Sequence, residues 1–417
     1  LGLALGCKIN NHNIFDRKNY FYADLPKGYQ ITQDQEPYCR GGAVAIKGKD
    51  FDKKIRLHHI HMEEDAGKSI HDGDPKYTLI DLNRAGVPLL EIVTEPDFRS
   101  AEEVAIFMTK MRQLVRYLGV SDGNMEEGSL RCDVNISLRK KGAITYGERC
   151  EVKNLNSMRF ARQAISYEVK RQANILNNGG QIKRNTLNFD PASGTTSPLR
   201  EKEDAHDYRY FPDPDLPPLH LSEAYIQEIK DSLPLLPDEL KKQFTTTYAL
   251  SEYNADLLTQ EKATADYFLR LAKSTKHYKG LANLIINKIL PAANEQNFLL
   301  ANFPVSEQQI ISFLHLVESN QVSSSVAYQK LFPLMMAQPM VDPLYLAKTE
   351  NLIQESDGDF LTSVIAQVLA DHPKEVAAYK GGKKQLMGFF MGQVMKASKG
   401  KADPKITSKL LGKALSE

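Results

Sequence analysis

Apolar and polar positions follow two rhythms along the first half of this chain. Between residues 16 and 100, short β-prone runs are cut by turn residues, among them Tyr20-Phe21-Tyr22, Ala43-Val44-Ala45-Ile46 and Leu89 to Val93, which predicts strands and loops. Val104, Phe107, Met108, Met111, Leu114, Val115 and Leu118 then recur at the helical period. Ser100 and Glu103 stand at capping-box spacing before them and Gly119 ends the run. Leu130, Cys132, Val134, Ile136 and Leu138 alternate with Arg131, Asp133, Asn135, Ser137 and Arg139, so a strand over 130–138 has one apolar and one polar face. A further strand, Cys150 to Lys153, sets Glu151 and Lys153 on one face, and Ser157 opens a helix that runs to Gly179-Gly180. Strands at hairpin-like spacing among two long helices predict an α+β domain rather than a parallel βαβ repeat. The proline-rich stretch from Asp213 to Pro218 reads as that domain's edge. From about Leu233 the pattern is almost wholly helical, with a break at Pro339–Pro343 and no visible repeat. The expected organisation is a first domain over 1–232, a helical domain over 233–345 and a tail over 346–417.

Composition changes this picture little, but charge changes it more. A chain of 417 residues with 42% hydrophobic and 25% charged residues is an ordinary globular one, too long for one core. It has no apolar run long enough to span a bilayer, so no membrane role is expected. Cys7, Cys39, Cys132 and Cys150 show no CxxC spacing, which suggests reduced thiols in a cytoplasmic protein. The start at Leu1 carries no convincing signal peptide and reads as a fragment without its natural beginning. The net charge of +1 conceals an asymmetry. Residues 372–417 hold ten lysines and no arginine against three carboxylates, a net of +7, so the first 371 residues carry −6. A positive end on an acidic body fits a polyanionic partner, and fits a solvated helical face as well.

Candidate chemistry sits on the strands of the first half. His61 to Ser69 ends in Gly-Lys-Ser, but Met62 stands where a P-loop requires its first glycine, so that reading fails. What remains is Glu63-Glu64-Asp65 beside Lys68, suited either to Mg²⁺ and phosphate or to a plain surface ion pair. Glu91 lies in the apolar run Pro88 to Val93, where a carboxylate must be paired, protonated or metal-bound. Arg131 and Asp133, with Glu151 and Lys153, add charge to neighbouring strands, a set that can hold Mg²⁺ and contact a triphosphate. Arg200, Lys202 and Arg209, beside Tyr208, Tyr210 and Phe211, are candidates to bind a nucleotide, or else to plug a domain edge. His58, His59 and His61 cannot all share one strand face, so a histidine-only metal site is not expected. No nucleophile–base set follows from spacing. In the tail, Lys383, Lys384, Lys396, Lys399 and Lys401 flank an apolar stretch in which Gly388 and Gly392 would let two helices approach closely. Lysines so arranged contact nucleic-acid backbone by position rather than sequence.

Several strings in this sequence are familiar: FDRKNYFYADLPKGYQITQ (15–33), HMEEDAGKS (61–69), DLNRAGVPLLEIVTEPD (81–97), MEEGSLRCDVNISLR (125–139), EVKNLNS (151–157), HDYRYFPDPDLPPL (206–219) and GFFMGQVMKASKGKADP (388–404). Together they resemble the B subunits of glutamyl/aspartyl-tRNA amidotransferases, and the likeness runs over the whole chain. That resemblance implies a cradle like the catalytic fold of glutamine synthetase and guanido kinases, followed by a helical region and tail that grip tRNA. It implies a ligase within a heterotrimer. In such a heterotrimer the amidase, or A, component releases ammonia from glutamine, and the C component is the small partner. The B component uses ATP and Mg²⁺ to phosphorylate the side chain of Glu on tRNA-Gln or Asp on tRNA-Asn. The resemblance makes Glu64 and Glu91 the expected Mg²⁺ ligands, with Asp133 and Glu151 as further members, and the charged strand faces offer Arg131 and Lys153 as catalytic cations beside them. Lys68, Arg200, Lys202 and Arg209 are then the expected contacts for ATP.

Two departures stand out. Family members begin with a further stretch of roughly sixty residues, including a strand whose His and Glu contribute to the metal site, whereas this sequence starts at Leu1. His59 occupies a position where the family often has Arg. A non-catalytic tRNA-binding scaffold is the alternative for a chain without those first strands. The archaeal relative specific for tRNA-Gln, which carries a large inserted domain, does not fit the spacing between the Tyr-Arg-Tyr-Phe-Pro motif and the tail.

Overall fold

A computed structural model describes residues 1–70, 76–200, 207–354, 358–398 and 401–416. The chain divides into two compact units, Leu1–Pro237 and Asp238–Glu417. The first is α+β and the second is helical.

The first unit is built on two sheets. In one, the strands Lys8–Ile9, Cys39–Arg40, Asp52–Glu64 and Pro88–Thr94 lie in that order, all antiparallel, and Ala43–Lys47 pairs with the first half of the long Asp52–Glu64 strand. In the other, Val134–Ile136, Cys150–Lys153, Thr186–Asp190 and Thr195–Arg200 lie side by side. Its middle pair is parallel, and the helix Met158–Asn177 makes the crossover between them. Two capped helices cover these sheets. Ser100 accepts a hydrogen bond from the Glu103 N–H at the start of Ala101–Tyr117, and Ser157 does the same for Phe160 at the start of Met158–Asn177, each cap contributing about 1 kcal/mol.

The Ala101–Tyr117 helix joins two cores because its apolar stripe is long. Val104 and Met108 pack with Ile136, Val152, Leu187 and Phe189 of one sheet, while Met111 and Leu114 pack with Ile46, Ile55, Leu57 and Ile60 of the other. Apolar side chains are thereby drawn to the helix side of both sheets, which leaves polar residues on their opposite faces. The expected strand over 130–138 is paired only at Val134–Ile136. Exposure nonetheless alternates as the sequence suggested, with Arg131, Asp133 and Asn135 exposed. Tyr20-Phe21-Tyr22 lies outside any strand. The strand there is Asp16–Asn19, and Phe21 is 87% exposed, its ring edge lying only against Gly28.

In the second unit, two helices each pass through a π turn immediately before a proline: Ile285–Ile289 before Pro291, and Ala327–Leu331 before Pro333. The wider turn accommodates a residue that lacks an N–H. The final four helices, Gly358–Asp371, Pro373–Lys380, Met387–Ala397 and Pro404–Ala414, close on Leu361, Ile365, Phe390, Val394 and Leu411. Gly388 and Gly392 do not mediate helix contact as expected. A Cβ added at either would meet nothing within 4 Å, because Phe390 and Val394 define the buried face instead. Gly392→Ala is therefore expected to stabilise the tail by about 0.5–1 kcal/mol through helix propensity, which urea unfolding would measure.

Candidate active site

The long strand Asp52–Glu64 changes its inward-facing parity midway. Its pairing with Pro88–Thr94 runs Ile92 to Ile60 and Val93 to His59, then jumps so that Thr94 meets Leu57, leaving His58 as the extra residue of a bulge. Before the bulge Ile55 and Leu57 face the core, and after it Ile60 does. His59, His61 and Glu63 thus share the other face with Glu91, which lies directly opposite His61.

Three of these side chains converge. His61, Glu63 and Glu91 each offer one donor atom, all within 4.8 Å of one another. The Glu63 carboxylate is buried and accepts hydrogen bonds from Thr32 Oγ1 at 2.8 Å and Gln30 Nε2 at 3.2 Å, and it lies 3.1 Å from His61 Nε2. Burial would raise its pKa, but His61, Lys18 and Thr32 together hold it below the usual carboxylate range. Glu91 shifts the opposite way: burial first, and then the charge of Glu63, raise it, and Asp133 adds to the effect. As a carboxylate in an apolar run requires, Glu91 has a partner, His61 at 3.8 Å, while its position on the last strand of the sheet leaves its side chain crowded at the base but 53% exposed. Behind this cluster the imidazoles form a chain, His58 Nδ1 to His59 Nδ1 at 2.6 Å and His59 Nε2 to His61 Nδ1 at 3.0 Å. Burial first, then the neighbouring His61, His58 and Arg40, push His59 down to about 4, so it is neutral at pH 7.

The Asp16–Asn19 strand supplies a cationic and aromatic side to the cluster. Lys18 Nζ lies 5.0 Å from the Tyr208 ring centre and 5.8 Å from that of Tyr20, and its charge draws down both Glu63 and Glu91. The Asn19 amide donates to the carbonyls of Tyr208 at 3.2 Å and Arg209 at 2.8 Å, and Arg17 pairs with Asp213 and Asp215 at 2.8 Å each. These bonds tie the aromatic segment 208–215 to the sheet. Tyr210 is pushed up to about 12 by burial first, with Asp34, Glu63, Tyr208 and Glu91 adding to it.

Other expected residues fall in separate places. Glu64, one position beyond Glu63, points to the opposite side, where it pairs with Lys27 and accepts the Ile31 N–H at 2.7 Å. It stands outside the donor cluster because side chains alternate along a strand. Lys153 reaches Asp133 at 2.6 Å and Glu151 at 3.3 Å, and although burial opposes the shift, those carboxylates raise its pKa. These three form their own cluster rather than a metal-donor set. Arg131 bonds to Asp65. Lys68 is exposed at the start of a two-stranded ribbon, and Arg209 is exposed with a left-handed backbone, φ 46°. The Arg200 side chain, Lys202 and Lys399 lie outside the described residues. In the tail, Lys383, Lys384 and Lys396 are exposed, Lys401 is half-buried, and Lys384 Nζ sits 4.3 Å from the centre of the Tyr379 ring. Sequence reasoning does not single out His61, Glu63 and Lys18 as a group. The signal for Glu63 is present in its alternation with His61, but the bulge that turns both outward is not.

With this geometry in place, comparison with known proteins is informative. A family model described as the GatB/GatE catalytic domain matches residues 1–227, and a second, the GatB domain, matches residues 266–415. The chain belongs to the family of aspartyl/glutamyl-tRNA amidotransferase B subunits. Among its relatives, the aspartyl/glutamyl-tRNA(Asn/Gln) amidotransferase B subunit of Persephonella marina is 45% identical over 417 residues, 99% of this chain and 86% of the relative. The B subunits of Myxococcus xanthus and Nitrosococcus oceani are 45% and 46% identical over all of this chain and 86% and 87% of theirs. A protein of this family is one component of a multisubunit amidotransferase. Among the described residues no helix is long and apolar enough to cross a membrane.

Proposed function

We propose that this chain performs the ATP-dependent step of tRNA-dependent amidation, acting on Glu carried by tRNA-Gln, Asp carried by tRNA-Asn, or both. The observation that carries the reading is the convergence of His61, Glu63 and Glu91 beside Lys18 and the tyrosines. In the reaction, the side-chain carboxylate of the aminoacyl-tRNA attacks the γ-phosphorus of ATP. The bond to the β-phosphate oxygen breaks and ADP leaves. Ammonia released from glutamine by the amidase partner then attacks the acyl carbon and phosphate departs, leaving the amide. No protein nucleophile is required.

The donor set fits a divalent cation. Two carboxylates and one imidazole converge, and the charge of Glu63 makes Glu91 harder to ionise, a repulsion that a cation between them offsets. His61, Glu63 and Glu91 would hold Mg²⁺, which when bound neutralises charge on the polyphosphate. Lys18 and Lys153 hold positive charge where the substrate carboxylate and phosphates meet. The tyrosines exclude water from one side, and the tail lysines bear on the tRNA backbone. With the amidase and small partners present but no glutamine, mischarged tRNA and γ-labelled ATP are expected to give labelled aminoacyl-tRNA and ADP in equal amounts. Tight tRNA binding without any label transfer would instead establish a non-catalytic scaffold and overturn the reading.

A further inference from the structure

Two arginines on separate segments lean on one oxygen of one buried carboxylate. Asp65 follows Glu64 at the end of the long strand, and its side chain is 8% exposed. Its Oδ2 lies 2.5 Å from Arg131 Nη2 and 3.1 Å from Arg84 Nη2. The Asp65 backbone is pinned as well. Its N–H donates to the Val87 carbonyl at 2.8 Å, and its carbonyl accepts from the Gly86 N–H at 2.9 Å. This pair of bonds fixes the turn that carries Arg84. Arg84 Nη1 also donates to the Glu127 carbonyl at 3.1 Å. Gly128, with φ +78°, permits this approach, since a Cβ there would sit 2.8 Å from Arg84 Nη1.

The charge balance of this group is unusual for a structural ion pair. A buried carboxylate is compensated by one guanidinium, and a second brings like-charge repulsion. Here two guanidiniums share one carboxylate oxygen, with the exposed Asp122 acting on Arg84 through charge but without a direct bond to it. Their side chains stay 41% and 53% exposed, with unused N–H groups at the surface. Paired guanidiniums match the oxygens of a phosphate in a bidentate manner, and a buried carboxylate that fixes both lowers the ordering cost of binding. Both arginines lie near the proposed reaction centre in sequence. Arg84 precedes Glu91 on the run into its strand, and Arg131 lies two residues before Asp133.

We infer that Arg84 and Arg131, aligned by Asp65 as a positioning residue, form a binding fork for a phosphate group. The phosphate comes either from the nucleotide or from the tRNA acceptor end. The inference rests on the proposed function for its sources, but not for the fork itself. In the assembled complex, ADP, deacylated tRNA and inorganic pyrophosphate would each be titrated calorimetrically against wild type, Arg84→Gln, Arg84→Lys and Asp65→Asn. Arg84→Gln is expected to weaken one of the first two probes by about 10- to 100-fold. Arg84→Lys, which keeps the charge but not the planar fork, is expected to recover only part of the loss. Asp65→Asn, which adds net positive charge, is expected to weaken the same probe, a sign opposite to simple electrostatics. A loss confined to ADP assigns the fork to nucleotide, and one confined to tRNA assigns it to tRNA. If Arg84→Gln lowers the melting temperature but leaves all three affinities unchanged, the group is a structural ion triad and the inference fails. If wild type binds neither ADP nor tRNA, the functional reading fails, and the pyrophosphate titration alone then decides the fork. Should Arg84→Gln not fold, the Arg84→Lys titrations decide in its place.

Discussion

Glu63→Gln and Glu91→Gln are each expected to slow phosphoryl transfer to mischarged tRNA by about 10²–10³-fold, because each removes one of two carboxylates from a three-donor set. Glu64→Gln is expected to cost at most about tenfold. Glu64 faces Lys27 and the amide of Ile31 in the Tyr29–Thr32 strand, so its loss disturbs that segment rather than the donors themselves. The contrast between two adjacent glutamates is the informative measurement. It is read from ADP release with mischarged tRNA present, and from the affinity for Mn²⁺ in the absence of nucleotide. Equal losses at positions 63 and 64, or a larger loss at 64, would refute the assignment of donors made from the strand's geometry.

The largest effect on stability is expected at Glu168. Its side chain, within the Met158–Asn177 helix, is fully buried. The carboxylate accepts from Arg171 Nε at 2.7 Å and Nη2 at 2.9 Å, from Gln172 Nε2 at 3.1 Å, and from Thr196 Oγ1. Gln172 continues the link by donating to the Ile136 carbonyl at 3.3 Å. The helix is thereby bonded to both ends of its sheet, through Ile136 on one outer strand and Thr196 on the other. Glu168→Ala strands the buried donors and is expected to cost about 3–5 kcal/mol, a fall of roughly 10 °C in Tm. Burial alone would raise the Glu168 pKa, but Arg171, Thr196 and Gln172 more than offset it and hold it low. A carboxylate with a lowered folded pKa stabilises fully above its unfolded value near ~4.3, and the contribution is lost as pH falls through the folded value. Wild type should therefore lose stability between about pH 5 and 2 more steeply than Glu168→Gln does. Parallel acid slopes for the two proteins would rule out this role.

Much of the fold is legible in the sequence because its signals are local. The Ser100 and Ser157 caps, the helical stripe from Val104 to Leu118 and the alternation from Leu130 to Ile136 all rest on neighbours within a few residues. The site is less legible. Glu91 stands out as a carboxylate in an apolar run, but the residues alone do not choose its partner among Glu63, Glu64 and Asp65, and it is the family resemblance that pairs it with Glu64. Choosing between Glu63 and Glu64 requires the face each occupies, which is set by how the strand pairs with Pro88–Thr94, a strand that begins more than twenty residues later. The grouping of Asp65 with Arg84 and Arg131 is hidden for a similar reason. Arg131 lies 66 residues beyond Asp65 and precedes a strand of the other sheet, so only the folded unit brings both arginines onto a single oxygen.

The bulge at His58 makes the site sensitive to the number of residues rather than only to their kind. A strand sorts its side chains by odd and even position, and one unpaired residue exchanges the two sets from that point onward. Deleting His58 would leave every remaining side chain in the strand chemically intact. It would also leave Ile60 on the core side and His61 and Glu63 on the open face, because Leu57 would then be followed directly by His59 in regular alternation. Removing His59 as well would set Ile60 and Met62 on the open face and turn His61 and Glu63 toward the core. The acidic face therefore depends on a parity that no substitution scan can probe, one that tolerates loss of the bulged residue itself and reverses when a second residue of the strand is lost.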